Sequence, residues 1–390
     1  VIQHAAGLAF WSSLGLILYT YAGYPLLIAA LARLRPRPWI QQSWSDLRPP
    51  PFSIILAVHN GEALLPAQLI HLLSLDSALV QEVIVVSDGS TDATNGILLA
   101  APDPRLRAFV LPEQAGKSAA LARGIAEATG QVLLFIDIRP RVESAALTSL
   151  LANFADPTVG CVAGELLIEQ QGNDATTSAV SGLYWRYEQW IRNSEAAVDS
   201  PVGVYGGFYA VRRDLVTLPP AGLILDDMFQ PLAVIRQGYR SVLDRQAIVV
   251  DRWPANTTGE FTRKVRTLAG NFQLIAEAPW VLTPANRVLL QLISHKLLRL
   301  LVPYCFLLLI LTSIGIAPWF AALQLVFWLL ALVALFRPIP FLQRIAAPAS
   351  ALLVLNAAAV VGLYTFLFTR GPLWRIWSPT AAPTASDQRR

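Results

Sequence analysis

The chain has 390 residues, of which 54% are hydrophobic and only 14% charged, against roughly 25% charged in ordinary soluble domains. Together with a mean hydropathy of +0.48, this excludes a purely soluble protein and implies a membrane protein with a water-soluble part. The formal net charge of +4 is modest and arginines flank the apolar stretches, so anionic lipid headgroups account for it and nucleic-acid binding is not indicated.

Residues 5–32, 300–336 and 345–369 contain no Asp, Glu, Lys or Arg. A crossing helix needs about 20 apolar residues. The first and last stretches supply one span each and the middle one two, with Gly315 and Pro318 marking the turn between them. A cleaved signal peptide is the alternative for the first stretch, but its apolar run is far longer than a signal h-region and no convincing cleavage site precedes Arg33. Arg33, Arg35 and Arg37 follow the first span, which puts the next domain in the cytoplasm of a bacterial-type inner or plasma membrane by the positive-inside rule. Four crossings from an outside start leave Arg370, Arg375, Arg389 and Arg390 outside, against the same rule. Either one span is re-entrant or the tail is an exception.

Five regions follow: an N-terminal membrane helix (1–36), a soluble domain (48–258), interfacial amphipathic helices (259–298), about three C-terminal membrane helices (299–370) and a tail (371–390). In the soluble domain, residues 52–58, 82–87, 107–111 and 132–136 are short β-branched runs that read as buried strands, while 63–73 and 117–128 carry helical spacing. Alternating strands and helices predict a largely parallel, three-layer α/β sheet. Ligands of such sheets bind at the carboxyl ends of the strands.

The residues after each strand are therefore the ones that carry chemistry. His59-Asn60-Gly61-Glu62 follows the first strand, Asp88-Gly89-Ser90-Thr91-Asp92 the second and Asp137-Ile138-Arg139 the fourth. Carboxylates there can take hydroxyl and amide hydrogens of a nucleoside or hold a metal. A turn followed by an N-cap explains the second segment equally well. Gly116-Lys117-Ser118 resembles the end of a P-loop but lacks its first glycine, since Pro112 and Leu111 stand upstream. A Gly-Lys at a helix start still suits a diphosphate. Cys161 and Cys305 lie far apart in apolar surroundings and read as buried thiols.

Seven segments in order, SIILAVHNGE, VIVVSDGSTDAT, AGKSAAL, LLFIDIRP, YWRYEQW, GGFYAVRRD and LILDDM, resemble membrane-bound glycosyltransferase family 2, the group of cellulose, chitin, hyaluronan and poly-N-acetylglucosamine synthases. YTYAGYPLL and SHKLLRLLVPY extend the resemblance into the membrane segments. It implies a Rossmann-like GT-A domain inserted between membrane helices, an inverting hexosyl transfer from a UDP-sugar, and a divalent metal, Mg or Mn. Carried over, Ala57, Val58, Asn60, Glu62, Asp88, Lys117, Asp137, Arg139 and Arg263 belong to the donor site, with Asp137 as metal ligand. Gly206, Gly207, Arg212 and Arg213 belong to the acceptor site. Asp227 takes the place of the catalytic base, beside Asp226. An N-cap for a helix from Met228 is the plain alternative for this pair.

Two motifs depart from the family. D-x-D reads Asp137-Ile138-Arg139, which replaces a metal-binding carboxylate by a cation able to fork onto phosphate. Q-x-x-R-W reads Glu260-Phe261-Thr262-Arg263-Lys264, which keeps the arginine and loses the tryptophan. The expected acceptor is a growing polysaccharide or oligosaccharide, with export in the manner of the synthases. The missing tryptophan favours single transfer to a polyprenyl-phosphate or other lipid-linked acceptor, and the SHKLLRLLVPY segment favours polymer synthesis. A catalytically weak partner subunit is a third reading, against which Asp88, Lys117, Asp137 and Asp227 stand.

Overall fold

The computed structural model describes residues 2–42, 50–169, 175–252, 257–336 and 340–377. Helix α1 (Ile2–Leu18) runs through a wide turn at Tyr19–Gly23 into α2 (Tyr24–Leu34). Pro25 sits in the first turn of α2, where a missing N–H and a fixed φ are tolerated.

The soluble domain unfolds in the order β1 (Phe52–Val58), α3 (Leu65–Leu73), β2 (Val80–Asp88), α4 (Thr94–Ala100), β3 (Leu106–Leu111), α5 (Lys117–Glu127) and β4 (Val132–Ile136). Next come β5 (Arg141–Val142), α6 (Ser144–Ala152), β6 (Val159–Glu169), α7 (Ala175–Val198), β7 (Phe208–Arg212), α8 (Asp226–Arg236) and β8 (Arg240–Arg252). The eight strands form one sheet in the order β3-β2-β1-β4-β7-β6-β8-β5. Both faces are covered: Ile54, Leu56, Val83 and Leu134 pack into one layer, and Ile55, Ile84, Leu133 and Phe135 into the other. Continuous apolar strands follow from that double burial.

The parallel expectation holds for β3, β2, β1 and β4, fails on both sides of β7 and between β8 and β5, and is met again where β6 pairs with β8. Strand β7 runs antiparallel to β4, with Ile136 opposite Phe208 and Val132 opposite Arg212. Its start therefore lies on the rim where β1, β2 and β4 end, and its finish on the opposite edge. The sheet is mixed because β7 enters from the rim, off the end of α7, and cannot run the same way as β4.

The amphipathic helix α9 (Thr257–Glu277) packs its apolar side on α8 through Leu274, Leu232 and Phe229. Then α10 (Leu289–Gln291) and a wide turn at Leu292–Leu297 lead to α11 (Leu298–Ile316), α12 (Pro318–Phe336) and α13 (Pro340–Phe368). Among the described residues, four helical stretches are long and apolar enough to cross a membrane, one N-terminal and three C-terminal. Buried polar groups tie α7 to them. His295 lies between Glu195 (2.9 Å) and Glu188 (3.1 Å), and the Tyr24 hydroxyl donates to Glu195 at 2.6 Å.

The end of α13 returns to the soluble domain. Phe366 stacks on Phe272 of α9 at 6.0 Å between centroids. The following turn, Leu373–Trp377, brings the Trp374 ring within 3.0 Å of where a Cβ on Gly116 would stand. The turn at Leu373–Trp377 thus lies on the same side of the apolar helices as the sheet, whereas four complete crossings would leave it on the other. Of the two sequence-level alternatives, this geometry matches a set of helices that are not all complete crossings.

Candidate active site

Strand order reverses at β1, which has β2 on one side and β4 on the other. Such a switch point leaves a crevice beyond the strand ends, and here it opens into a cavity of about 540 Å³, within the usual range for small-molecule sites. Ala57 and Val58 line it from β1, Asp88 from β2 and Asp137 and Arg139 from the loop after β4. Gly206 and Gly207 enter from the start of β7, Asp226 and Asp227 from α8, and Arg263 from α9.

Asp88 is buried, and its two carboxylate oxygens accept the N–H groups of Ala115 (2.7 Å) and Gly116 (2.9 Å). Its carbonyl accepts from His59 Nδ1 at 2.7 Å. Gly89 makes this fold possible, with φ +59° and room for no side chain, since a Cβ would stand 2.2 Å from the Gln114 nitrogen. Asp88 therefore shapes the loop that opens α5, and Lys117 becomes the first residue of that helix.

From there Lys117 Nζ stands 3.0 Å from Asp137 and 3.5 Å from Asp226. Burial opposes its charge, but Asp137 and Asp226 outweigh burial and raise its pKa above the ordinary lysine value. The ammonium is a fixed positive charge at a helix N-terminus, a setting suited to phosphate.

Asp226 and Asp227 are the first two residues of α8, two residues earlier than the sequence suggested, and the cap position is Leu225 with no side-chain cap bond. Neither carboxylate serves as the N-cap. Asp226 is buried and accepts from Tyr209 at 3.4 Å. Asp227 faces Gly206, where an added Cβ would stand 2.9 Å from Oδ2. Burial raises the pKa of both, and the neighbouring Asp226 helps push Asp227 up to about 6. A carboxylate poised there accepts a proton well near neutrality.

Arg139 turns to Asp251 at 3.2 Å, and the same Asp251 oxygen accepts from Tyr205 at 2.8 Å. The second D-x-D position is thus a paired cation on the cavity wall. Among the described residues no group of three or more His, Cys, Asp and Glu is arranged to hold a metal ion. Mg and Mn sites of nucleotide enzymes often use one or two carboxylates plus substrate phosphates. The residues fit that arrangement, with Asp137 as the protein ligand, and do not fit a cage formed by protein alone.

Four sequence-selected residues stand outside the cavity. Asn60, at φ +49°, and Glu62 brace the loop after β2: Asn60 Oδ1 accepts from Thr91 N at 2.8 Å and Glu62 from Ala93 N at 2.9 Å. Arg212 lies at the far edge because β7 is antiparallel, and it donates to the carbonyls of Val159, Phe154 and Asp156. Arg213 donates to the Ala128 carbonyl. Both arginines are corrected from the acceptor site to the opposite edge of the sheet. Of the aromatic segment on α7, Trp185 lines the cavity and Tyr187 donates to the Tyr21 carbonyl on the membrane side; the Tyr184 side chain lies outside the described ones.

Other cavity residues escaped the sequence reading. Tyr205 adjoins the glycine pair and Arg266 follows Arg263, so both were legible by adjacency. Arg192, Asp251 and Trp374 carry no local signal, and Lys296 lies in the SHKLLRLLVPY segment with no site role attached to it; all four reach the site from distant elements.

The sheet and its rim have the GT-A fold, set among apolar helices. Residues 53–217 match the family model described as "Glycosyl transferase family 2". The chain is 28% identical over 153 residues to an N-acetylglucosaminyltransferase of Rhizobium meliloti (strain 1021), covering 38% of this chain and 35% of that protein. It is 29% identical over 142 residues to an N-acetylglucosaminyltransferase of Sinorhizobium fredii (strain NBRC 101917 / NGR234), covering 35% and 34%. The succinoglycan biosynthesis protein ExoO of R. meliloti is 39% identical over 69 residues, 16% of this chain and 20% of that one. These matches span about a third or less of each relative's length. Among solved structures, the mannosyltransferase PcManGT from Pyrobaculum calidifontis, in complex with GDP-Man and Mn2+, superposes with a TM-score of 0.69 at 21% identity, covering 93% of this chain and 100% of that one. That likeness extends the shared fold through the helices as well as the sheet.

Proposed function

We propose that the chain transfers a hexose from a nucleoside-diphosphate sugar, UDP-linked by its family resemblance, to a saccharide acceptor with inversion at the anomeric carbon. Support comes above all from one observation: Lys117, Asp137 and the pair Asp226-Asp227, from three separate parts of the sequence, meet on one cavity.

Asp227 is the base. It takes the proton of an acceptor hydroxyl as that oxygen attacks the anomeric carbon, while the bond from that carbon to the diphosphate breaks on the opposite face. The products are the lengthened saccharide, the nucleoside diphosphate and one proton. Lys117 and Arg263 meet the charge that develops on the leaving phosphates, an electrostatic contribution that grows towards the transition state. Asp226 keeps Lys117 charged and raises the basicity of Asp227. A divalent metal, Mg or Mn, supplies further positive charge to the diphosphate when bound, with Asp137 as its protein ligand. The nucleoside lies along Ala57, Val58 and Asp88. The catalytic domain is cytoplasmic in this reading, which the availability of nucleotide sugars there and the positive-inside rule applied to Arg33, Arg35 and Arg37 support.

Purified full-length chain in detergent, supplied with a panel of UDP- and GDP-sugars, tests the proposal by nucleotide release and product mass. One UDP-sugar is expected to be turned over with inverted product stereochemistry. Retained stereochemistry, or no nucleotide release with any donor, would refute it.

A further inference from the structure

We propose that Gln273 is a positioning residue for the transfer: it clamps the cavity-lining loop 222–225 to α9 and so sets where the Asp226-Asp227 pair stands. The inference rests on the reading of Asp227 as the base and adds the residue that holds it in place.

Leu223, Ile224 and Leu225 form part of the cavity wall directly in front of Asp226. The cap position Leu225 contributes no side-chain bond, so the loop before it decides where α8 starts. Asp226 and Asp227 are the first two residues of that helix, and a displaced start carries both carboxylates with it.

Gln273 meets this loop twice. Its Oε1 accepts from Ile224 N at 3.0 Å, and its Nε2 donates to the Gly222 carbonyl at 3.0 Å. Gly222 stands at φ +77°, a left-handed conformation that suits glycine and turns the chain so that both groups meet one side chain. Gln273 is buried, and backbone groups covered in this way need partners. One turn earlier on the same helix face, Gly270 lets the loop approach, since a Cβ there would stand 2.8 Å from Leu225 Cγ. Leu274 packs with Leu223 and Leu225 alongside, so apolar contact already covers the loop. The two amide bonds add what apolar contact lacks, a fixed register.

From the other side Ser118, the residue after Lys117, donates to the Leu223 carbonyl at 2.7 Å. The loop is thus gripped between α5, which carries Lys117, and α9, which carries Arg263 and Arg266. The base is thereby held against the two elements that present cations to the cavity. Helix α9 is itself seated on α13, where Gly362 lies against Leu268 and Ala269: an added Cβ would stand 3.0 Å from the Ala269 nitrogen. The Asp227 carbonyl has a second anchor, accepting from Val204 N at 3.0 Å, so loss of Gln273 loosens the pair without releasing it.

The test uses the full chain in nanodiscs, with the UDP- or GDP-sugar and the free, octyl-linked or polyprenyl-linked hexose that together give the fastest nucleotide release. Gln273→Met keeps the length and loses both bonds, so kcat should fall about ten- to a hundredfold while the donor KM stays within about twofold. Gln273→Glu keeps the acceptor for Ile224 and can donate to Gly222 only when protonated, a state that burial favours. Its kcat relative to the unmodified chain at the same pH should therefore rise from pH 8 to pH 5.5 by about fivefold, the worth of one hydrogen bond, whereas the Gln273→Met ratio stays flat. A Gln273→Met kcat equal to that of the unmodified chain would overturn the proposal. A donor KM raised in step with the loss of kcat would overturn it too, as the mark of a collapsed site. Should that variant fail to fold, a flat Gln273→Glu ratio overturns it. Undiminished turnover in Asp227→Asn would instead defeat the base assignment, and absence of nucleotide release from the unmodified chain with every donor the transfer reading itself.

Discussion

Replacing Asp227 by Asn removes the proposed base while keeping its shape beside Gly206. Positioned general bases contribute about 10² to 10⁴ in rate, or about 3–5 kcal/mol of barrier, so turnover should fall by that factor with donor affinity nearly unchanged. The pH profile gives an independent handle. Burial and the charge of Asp226 lift Asp227 to about 6, so kcat/KM should lose tenfold per unit below about 6 and level off above it. Because Asp226 is one cause of the rise, Asp226→Asn should move that acid limb to lower pH, and Lys117→Met, which removes a cation that lowers it, to higher pH. Initial rates of nucleotide release from pH 5 to 8 measure all three. Turnover of Asp227→Asn above a tenth of the unmodified protein, or an acid limb unmoved by Asp226→Asn, would sink the assignment.

Gly206→Ala puts a Cβ 2.9 Å from Asp227 Oδ2; the carboxylate must turn aside, so transfer should drop at least tenfold while thermal unfolding shifts little. Glu82 is buried and held by Ser53, Thr129 and Arg107; burial alone would raise its pKa, but these partners bring it down to about 2. Its contribution is therefore complete above about 4.5 and lost as pH falls towards 2, and Glu82→Gln should cost up to about 3 kcal/mol near neutrality with a smaller difference at pH 3, as read by denaturant unfolding. Since Asp137 is already paired with Lys117 at 3.0 Å, Mn2+ titrated by electron paramagnetic resonance should bind weakly alone and at least tenfold more tightly with UDP present; tight binding without nucleotide would contradict the shared-ligand arrangement.

Local signals carried the elements whose residues act near their neighbours. The runs at 52–58 and 132–136 are strands with those same bounds, because a strand buried on both faces is continuously apolar and ends where polar residues begin. Lys117 opens its helix as the Gly-Lys pair suggested, and the acidic pair at 226–227 reaches the rim because it follows a buried apolar run into a helix start.

What the sequence determined by itself was the class of fold, the apolar helices and the polar segments that meet at the strand ends. Tertiary structure alone decided which side chains of those segments face the cavity. Asn60 and Glu62 turn to brace a neighbouring loop, and Arg212 and Arg213 fall on the far edge because β7 reverses direction, which no local pattern encodes. Arg192, Lys296 and Trp374 join the site across separations of tens to hundreds of residues. Periodicity reports which face of an element is buried; it is silent on which other element that face will meet.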